Sequence, residues 1–480
     1  MAQSSVMEVS GRVVARKSPP FRTSATTPPP PTTTAPPTDT PAPKPTRPHD
    51  SAWYADVNNP FREFGFLFAL AFLFTRFSMV NQLIEFKVGV STYMTYLFGV
   101  PALLVMLSTG GIQRALRTKA SIIFLGFMLW MVFVTPFSLW KGGSFKLLKD
   151  TYLVEFPLLF LIAGLAVTRI NIQRMFRAIA YSVSIMVVAS FLFSASWGDR
   201  LALAYGTVAN PNDLATHILT TLPFVGWAYA SERSQFSFMK AVWIATALGA
   251  IMVVIKTGSR GGLLAFGVMM LIALFKMSAV QRVLVVCSTI LVVMVTFALA
   301  PGVLVQRYLT IFSKNPSVEY LDDGQLVEAR GSSEARKNLL RASIKITLAN
   351  PIFGVGPGQF SVAEDNEQKR LGRSRGAWQV THNSYTEVSS EMGFPGLLFF
   401  LGAILTCIFS LQRLSSAWLS GPDVRLLANT LLLSISACMV CLFFASLAYR
   451  FYVPTLIGLT SAVICWAKSP EAVGRGGRTA

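Results

Sequence analysis

The chain has 480 residues, 52% of them hydrophobic and only 14% charged, with a formal net charge of +19 and a mean hydropathy of +0.52. Soluble domains carry roughly 25% charged residues, so a string of soluble domains is excluded and an all-α polytopic membrane bundle is implied. The positive charge reads as Lys and Arg meeting anionic lipid at cytoplasmic loops, with no nucleic acid as partner.

Residues 1 to about 60 are crowded with Pro, Thr and Ser, as in Pro28-Pro29-Pro30-Pro31 and Thr32-Thr33-Thr34. Such a segment buries too little apolar area to offset its ordering entropy and is expected to be a disordered cytoplasmic tail. Its PxxP spacings would suit an SH3-like partner, but plain linker is the simpler reading. It has no apolar core of the signal-peptide kind, so the first span is expected to act as an uncleaved anchor.

About twelve spans follow, each a mostly uncharged apolar run near the 20 residues that a bilayer needs. They fall at roughly 64–80, 90–108, 120–140, 151–168, 176–194, 213–230, 239–255, 261–277 and 280–300, then 386–411, 426–447 and 451–467. Residues 61–300 thus hold spans one to nine and 386–467 hold spans ten to twelve, with a cytoplasmic tail at 468–480. The basic bias is modest and puts the N-terminus inside, which places the long 301–385 loop in the periplasm. Cys287, Cys407, Cys438, Cys441 and Cys465 all lie in or beside apolar runs. They are read as small buried hydrophobes, not disulfides or metal ligands.

On this topology several outer basic residues are anomalous, among them Lys141, Lys146, Lys149, Arg200, Arg260 and Arg450. A charge at the edge of a span is costly without a partner, which directs attention to anions. Three stretches precede spans that run inward. They are Arg200 with Gly206-Thr207-Val208-Ala209-Asn210-Pro211-Asn212, Thr257-Gly258-Ser259-Arg260-Gly261-Gly262, and His382-Asn383-Ser384. Each contains good N-cap residues, and Pro211 suits a first helical turn. Helix N-termini with arginines beside them bind anions, and a pyrophosphate is the anion that engages several of each.

The polar loop supplies the remaining chemistry. Arg336 opens a short amphipathic helix that ends near Asn350-Pro351, and Gly354, Gly356 and Gly358 follow. No strand precedes these glycines, so they read as a tight loop at the membrane surface and not as a dinucleotide site. His382 ends the loop and is placed to act as a general base near neutral pH, whereas His217 and His49 read as structural. Glu391 lies nine residues beyond His382, roughly 13 Å along a helix, and Glu387 is nearer. No carboxylate cluster has metal-site spacing, so metal-free, cofactor-free chemistry is expected, with arginines stabilising the leaving group.

The residues of 332–400 resemble the O-antigen ligase and polymerase-like membrane glycosyltransferases of bacterial envelopes. The likeness rests on Arg336, Asn350-Pro351-Ile352-Phe353-Gly354-Val355-Gly356, His382-Asn383-Ser384-Tyr385 and Glu391-Met392-Gly393-Phe394-Pro395-Gly396. Asn210-Pro211-Asn212 and Ser259-Arg260-Gly261 look like the family's other signatures, so the likeness extends over roughly 195–465. It implies a multi-pass inner-membrane enzyme that moves a glycan from undecaprenyl pyrophosphate to a hydroxyl of an acceptor glycan or glycolipid, with inversion. His382 would serve as the base; Arg200, Arg260, Arg336, Asn383 and Tyr385 would bind the pyrophosphate and substrate. A polymerase joining lipid-linked repeats and protein glycosylation are the rivals within the family. A transporter or flippase is the rival outside it, but the two halves show no convincing repeat.

Overall fold

The computed structural model describes residues 59–197, 200–234, 237–298, 302, 308, 323–372, 378–417 and 420–469, giving only backbone for 196–197 and 323–333. The Pro- and Thr-rich tail, residues beyond 469 and most of 299–322 lie outside the described residues. The chain is mostly helical. In order come α1 (Pro60–Ser78), α2 (Val80–Val88), α3 (Met94–Ser108), α4 (Gly111–Ala115), α5 (Lys119–Val134) with a 3-10 turn, α6 (Lys141–Asp150) and a π turn (Thr151–Glu155). Then follow α7 (Pro157–Leu165), α8 (Arg169–Leu192), a two-stranded antiparallel hairpin of β1 (Ser194–Trp197) and β2 (Arg200–Leu203), and α9 (Pro211–Ser231). The rest is α10 (Phe238–Lys256), α11 (Arg260–Lys276), α12 (Ala279–Ala298), α13 (Asp323–Ala349), α14 (Phe360–Arg370), α15 (Ser384–Ser416), α16 (Pro422–Leu442) and α17 (Tyr452–Ala467).

Each of the twelve expected spans falls on one of these helices, but they are not alike. Six are long and apolar enough to cross a membrane: Lys119–Phe137, Arg169–Leu192, Phe238–Lys256, Ala279–Ala298, Ser384–Ser416 and Pro422–Leu442. A seventh results if α1 and α2, bent by 63°, are taken together. The others fall short for visible reasons. Residues 151–168 divide into a π turn and the nine-residue α7, about 13 Å long at 1.5 Å per residue. Helix α9 carries Asn212, Asp213, His217 and three threonines. The hairpin at 194–203 is a departure from the all-helical expectation.

Local sequence explains where the helices begin. Asn59 caps α1 with Pro60 in its first turn, Thr118 caps α5, and Thr168 caps α8. These side-chain oxygens take N–H groups that have no partner inside the helix. The core is aromatic: Phe124, Phe127, Phe156 and Phe400 interlock at ring distances of 5.4 to 6.3 Å across α5, the residue that leads into α7, and α15. His217 sits fully buried among Phe77, Phe451 and Tyr452, its Nδ1 3.1 Å from the Tyr452 hydroxyl, so it is a packing group as expected. Cys407, Cys438 and Cys441 are buried and Cys465 is half-buried, but Cys287 is exposed on α12, contrary to expectation. Helix α13 ends at Ala349 as expected but starts well before Arg336.

Candidate functional site

The Thr381-His382-Asn383-Ser384 turn is held by the α16–α17 connection. The Thr381 hydroxyl lies 2.8 Å from Ser446 Oγ, and the His382 N–H donates to the same oxygen at 2.9 Å. Ser384 Oγ donates to the Ala445 carbonyl and accepts from the Leu447 N–H. Asn383 Oδ1 accepts from the N–H groups of Tyr385 and Thr386, capping α15. These bonds leave His382 with φ 52°, a left-handed conformation uncommon outside glycine. They also use every polar side chain of the turn except the imidazole, which makes no hydrogen bond among the described residues.

The arginines arrive from three other elements. Ser259 caps α11, its Oγ accepting from Gly262 N–H, and Arg260 is the first helical residue. The two following glycines permit a close approach. A Cβ at Gly261 would meet Phe444 at 2.5 Å and one at Gly262 would meet Ala215 at 3.0 Å. Helix α11 therefore docks on the connection that also holds His382, with Phe444 two residues from Ser446. Arg336 reaches the same corner from α13, which packs along α15 and bonds it through Thr347 and Ser389, 2.9 Å apart.

Electrostatics report the convergence. Burial first, and the Arg336 charge second, hold the His382 imidazole below its ordinary value. Arg336 is itself pushed down by burial and then by the charge of Arg260. His382 is therefore neutral at pH 7, and two like charges share a partly desolvated corner. Among the described residues Arg336 has no carboxylate partner. Two guanidinium charges brought together favour an anion between them.

The other expected site residues have placed tasks. Arg200 donates from Nε to the Thr257 carbonyl at 2.8 Å and from Nη2 to Asn212 Oδ1 at 2.9 Å. It thus ties the hairpin to the starts of α9 and α11, three residues from Arg260. Tyr385 donates to the Met439 carbonyl at 2.7 Å and packs on Phe400 and Phe443. Asn383 Oδ1 and the Tyr385 hydroxyl are engaged within the protein, where they hold the His382 turn, while Asn383 Nδ2 makes no hydrogen bond among the described residues. Among the described residues, no three His, Cys, Asp or Glu side chains gather as metal ligands would.

The glycine loop and the Glu391-to-Gly396 stretch form one unit, a connection that spacing did not reveal. Helix α15 breaks at Gly393, φ 68°, where a Cβ would overlap the Ile352 carbonyl. Val355 N–H and Gly356 N–H donate to the Ser390 and Glu391 carbonyls, each at 2.9 Å. The buried Glu391 carboxylate accepts from Gly358 N–H at 2.7 Å, Phe360 N–H at 3.1 Å and the Tyr449 hydroxyl at 2.7 Å. It caps α14 from a different helix, since Gln359 provides no side-chain cap. Sequence reasoning weighed Glu391 as a partner for His382 and as part of the family likeness, not as a tie; the lone acid in an apolar Glu-Met-Gly-Phe-Pro-Gly run was the available signal for a buried tie.

Residues 244–401 match the family model described as O-antigen ligase. No curated protein matches the chain. The matched stretch contains Arg260, Arg336, His382, Asn383, Tyr385 and Glu391, while Arg200 precedes it. Over this stretch, about a third of its length, the chain is similar to O-antigen ligases of envelope polysaccharide biosynthesis, and at least six of its helices are long and apolar enough to cross a membrane.

Proposed function

We propose that this O-antigen ligase-like chain transfers a glycan from a polyprenyl-pyrophosphate carrier, undecaprenyl pyrophosphate in the family's usual form, to a hydroxyl of an acceptor glycan or glycolipid. The observation that carries the reading is the corner where Arg260 and Arg336 crowd together beside a neutral His382. In the reaction, His382 takes the proton from the acceptor hydroxyl as its oxygen attacks the anomeric carbon. The bond from that carbon to the phosphate oxygen breaks, and the pyrophosphate leaves with the electron pair. Arg260 and Arg336 take up its growing charge. Arg200 holds the floor of this corner, and Asn383 and Tyr385 fix the His382 turn. Attack opposite the leaving group inverts the anomeric centre.

The topology belongs to the same proposal. The shorter helices α3, α7, α9, α11 and α17 complete about twelve spans with the longer ones. The 301–385 loop and the His382 corner then face the periplasm, and both tails face the cytoplasm. The site would lie at the outer surface, where the carrier's lipid tail can rest between spans. The test is reconstitution with a lipid-linked glycan and candidate acceptors. Transfer to a finished glycolipid supports ligation, and elongation of a second lipid-linked repeat supports polymerisation. No transfer to either, from a folded preparation, overturns the reading.

A further inference from the structure

Lys141, Lys146 and Lys149 stand out in the sequence, and the proposed chemistry does not use them. They lie on α6, a helix with two distinct faces. Its inner face rides on the glycine loop. Leu139 N–H donates to the Val355 carbonyl at 3.0 Å, Ser144 Oγ donates to the Pro357 carbonyl at 2.8 Å, and Leu147 and Leu148 pack on the core. Its outer face presents Lys141, Lys146 and Lys149, all exposed, around Phe145, which is 63% exposed. None of the three lysines pairs with a carboxylate among the described residues; Asp150 is the one acid at that end of the helix.

An aromatic rim surrounds this face. Trp140 and Trp378 meet edge-on at 6.1 Å, and both are more than half exposed. Phe137 stacks on Phe353 at 5.0 Å, and Phe133 lies 6.2 Å from Phe353. These rings gather where the apolar span Lys119–Phe137 ends and the lysines begin. Aromatic side chains at the end of a span, followed by an amphipathic basic helix, match the chemistry of the headgroup region. Exposed aromatic side chains gathered in one place mark a contact surface, and the unpaired lysines beside them call for phosphate.

We propose that α6 is an interfacial helix that docks on the phosphates of anionic phospholipids, with Trp140 and Phe145 seated at the acyl boundary. Because α6 and Leu139 just before it are bonded to the 355–357 backbone, and that loop to Glu391, its docking also sets the position of the glycine loop against α15, the helix that His382 precedes. This second clause rests on the proposed function; the docking itself does not.

The test uses the full chain in nanodiscs of phosphatidylcholine with brominated phosphatidylglycerol or brominated phosphatidylcholine. The signal is the quenching lost in Trp140→Phe, which isolates Trp140. Lysines near an anionic surface each raise occupancy by about fivefold. Lys141→Gln/Lys146→Gln/Lys149→Gln should therefore weaken the preference for brominated phosphatidylglycerol at least tenfold, and the triple Arg variant should retain it. Equal quenching by both lipids, or an unchanged preference in the Gln variant, overturns the docking. Displacement of the signal by a polyprenyl-pyrophosphate glycan but not by unlabelled phosphatidylglycerol overturns it too, assigning the face to the donor. Transfer should rise with phosphatidylglycerol in the unmodified protein and not in the Gln variant. Indifferent transfer with intact lipid preference overturns only the coupling. Intact lipid preference with no transfer in any lipid supports the docking and counts against the proposed function.

Discussion

Replacing Glu391 with Gln tests whether the two glycine-containing stretches are one mechanical unit. Three donors converge on two carboxylate oxygens, with Gly358 N–H and the Tyr449 hydroxyl on Oε2 and Phe360 N–H on Oε1. Both Glu391 and Phe360 are almost fully buried. A carboxamide has one acceptor oxygen. Its best placement keeps oxygen toward Gly358 and Tyr449 and turns the NH₂ toward the Phe360 N–H, donor against donor. A buried donor left without an acceptor costs about 1–3 kcal/mol. At about 1.4 kcal/mol per tenfold, amide exchange across 358–360 should accelerate roughly 5- to 150-fold. Tyr449→Phe removes a neighbouring donor from the same carboxylate. Because both residues share it, the double variant should depart from additivity by at least 0.5 kcal/mol, about the least seen for residues in contact. Hydrogen–deuterium exchange on peptides spanning 354–364 reads both effects. Unchanged exchange in Glu391→Gln, or strict additivity with Tyr449→Phe, would refute the shared tie and leave the loop held by its backbone contacts alone.

His382→Ala should lower transfer about 10²- to 10⁴-fold, the usual range for a general base, with insertion and thermal stability of the protein unchanged; full activity would remove the base. Transfer by the unmodified protein should fall with acid only below pH 6.5, because the His382 value is depressed and the neutral form is the active one. In Arg336→Gln one cause of that depression is gone, so the acid limb should move to higher pH even as the plateau drops; a limb that stays put would separate Arg336 from the imidazole. Arg260→Lys should rescue Arg260→Ala only in part, since Lys keeps the charge and loses the two-pronged phosphate contact; complete rescue would argue against that contact. A periplasm-active reporter should work fused near Val362 and fail near Ser278, and the reverse would invert the topology.

Much of the site was readable in the chain because it is built from helix starts. Asn210, Ser259 and Asn383 are each good N-cap residues before apolar runs, and each caps its helix. The span count was less readable. Hydropathy finds apolar runs, but it does not register the π turn at 151–155 or the left-handed Met79 that bends α1 against α2. Tertiary ties were not readable at all. Ser446 lies more than sixty residues from His382, and Glu391 serves amides about thirty residues before it; spacing carries no trace of either.

Those ties leave two side-chain groups of the Thr381-to-Ser384 turn without a hydrogen bond among the described residues, the His382 imidazole and the Asn383 Nδ2. The Thr381 hydroxyl contacts Ser446, Asn383 caps α15, Ser384 is bound to 445 and 447, and the His382 N–H is bound to Ser446. A left-handed histidine carries a conformational cost that persists only where its surroundings over-determine it, and here four residues do so. The same connection receives Gly261 of the Arg260 helix through Phe444. A shift in the 444–447 backbone would therefore displace His382 and Arg260 together. Ser446→Ala isolates this coupling, since it removes the acceptor for the His382 N–H while sparing every charged group. If the turn depends on that oxygen, transfer should fall while the dependence on donor phosphate remains intact.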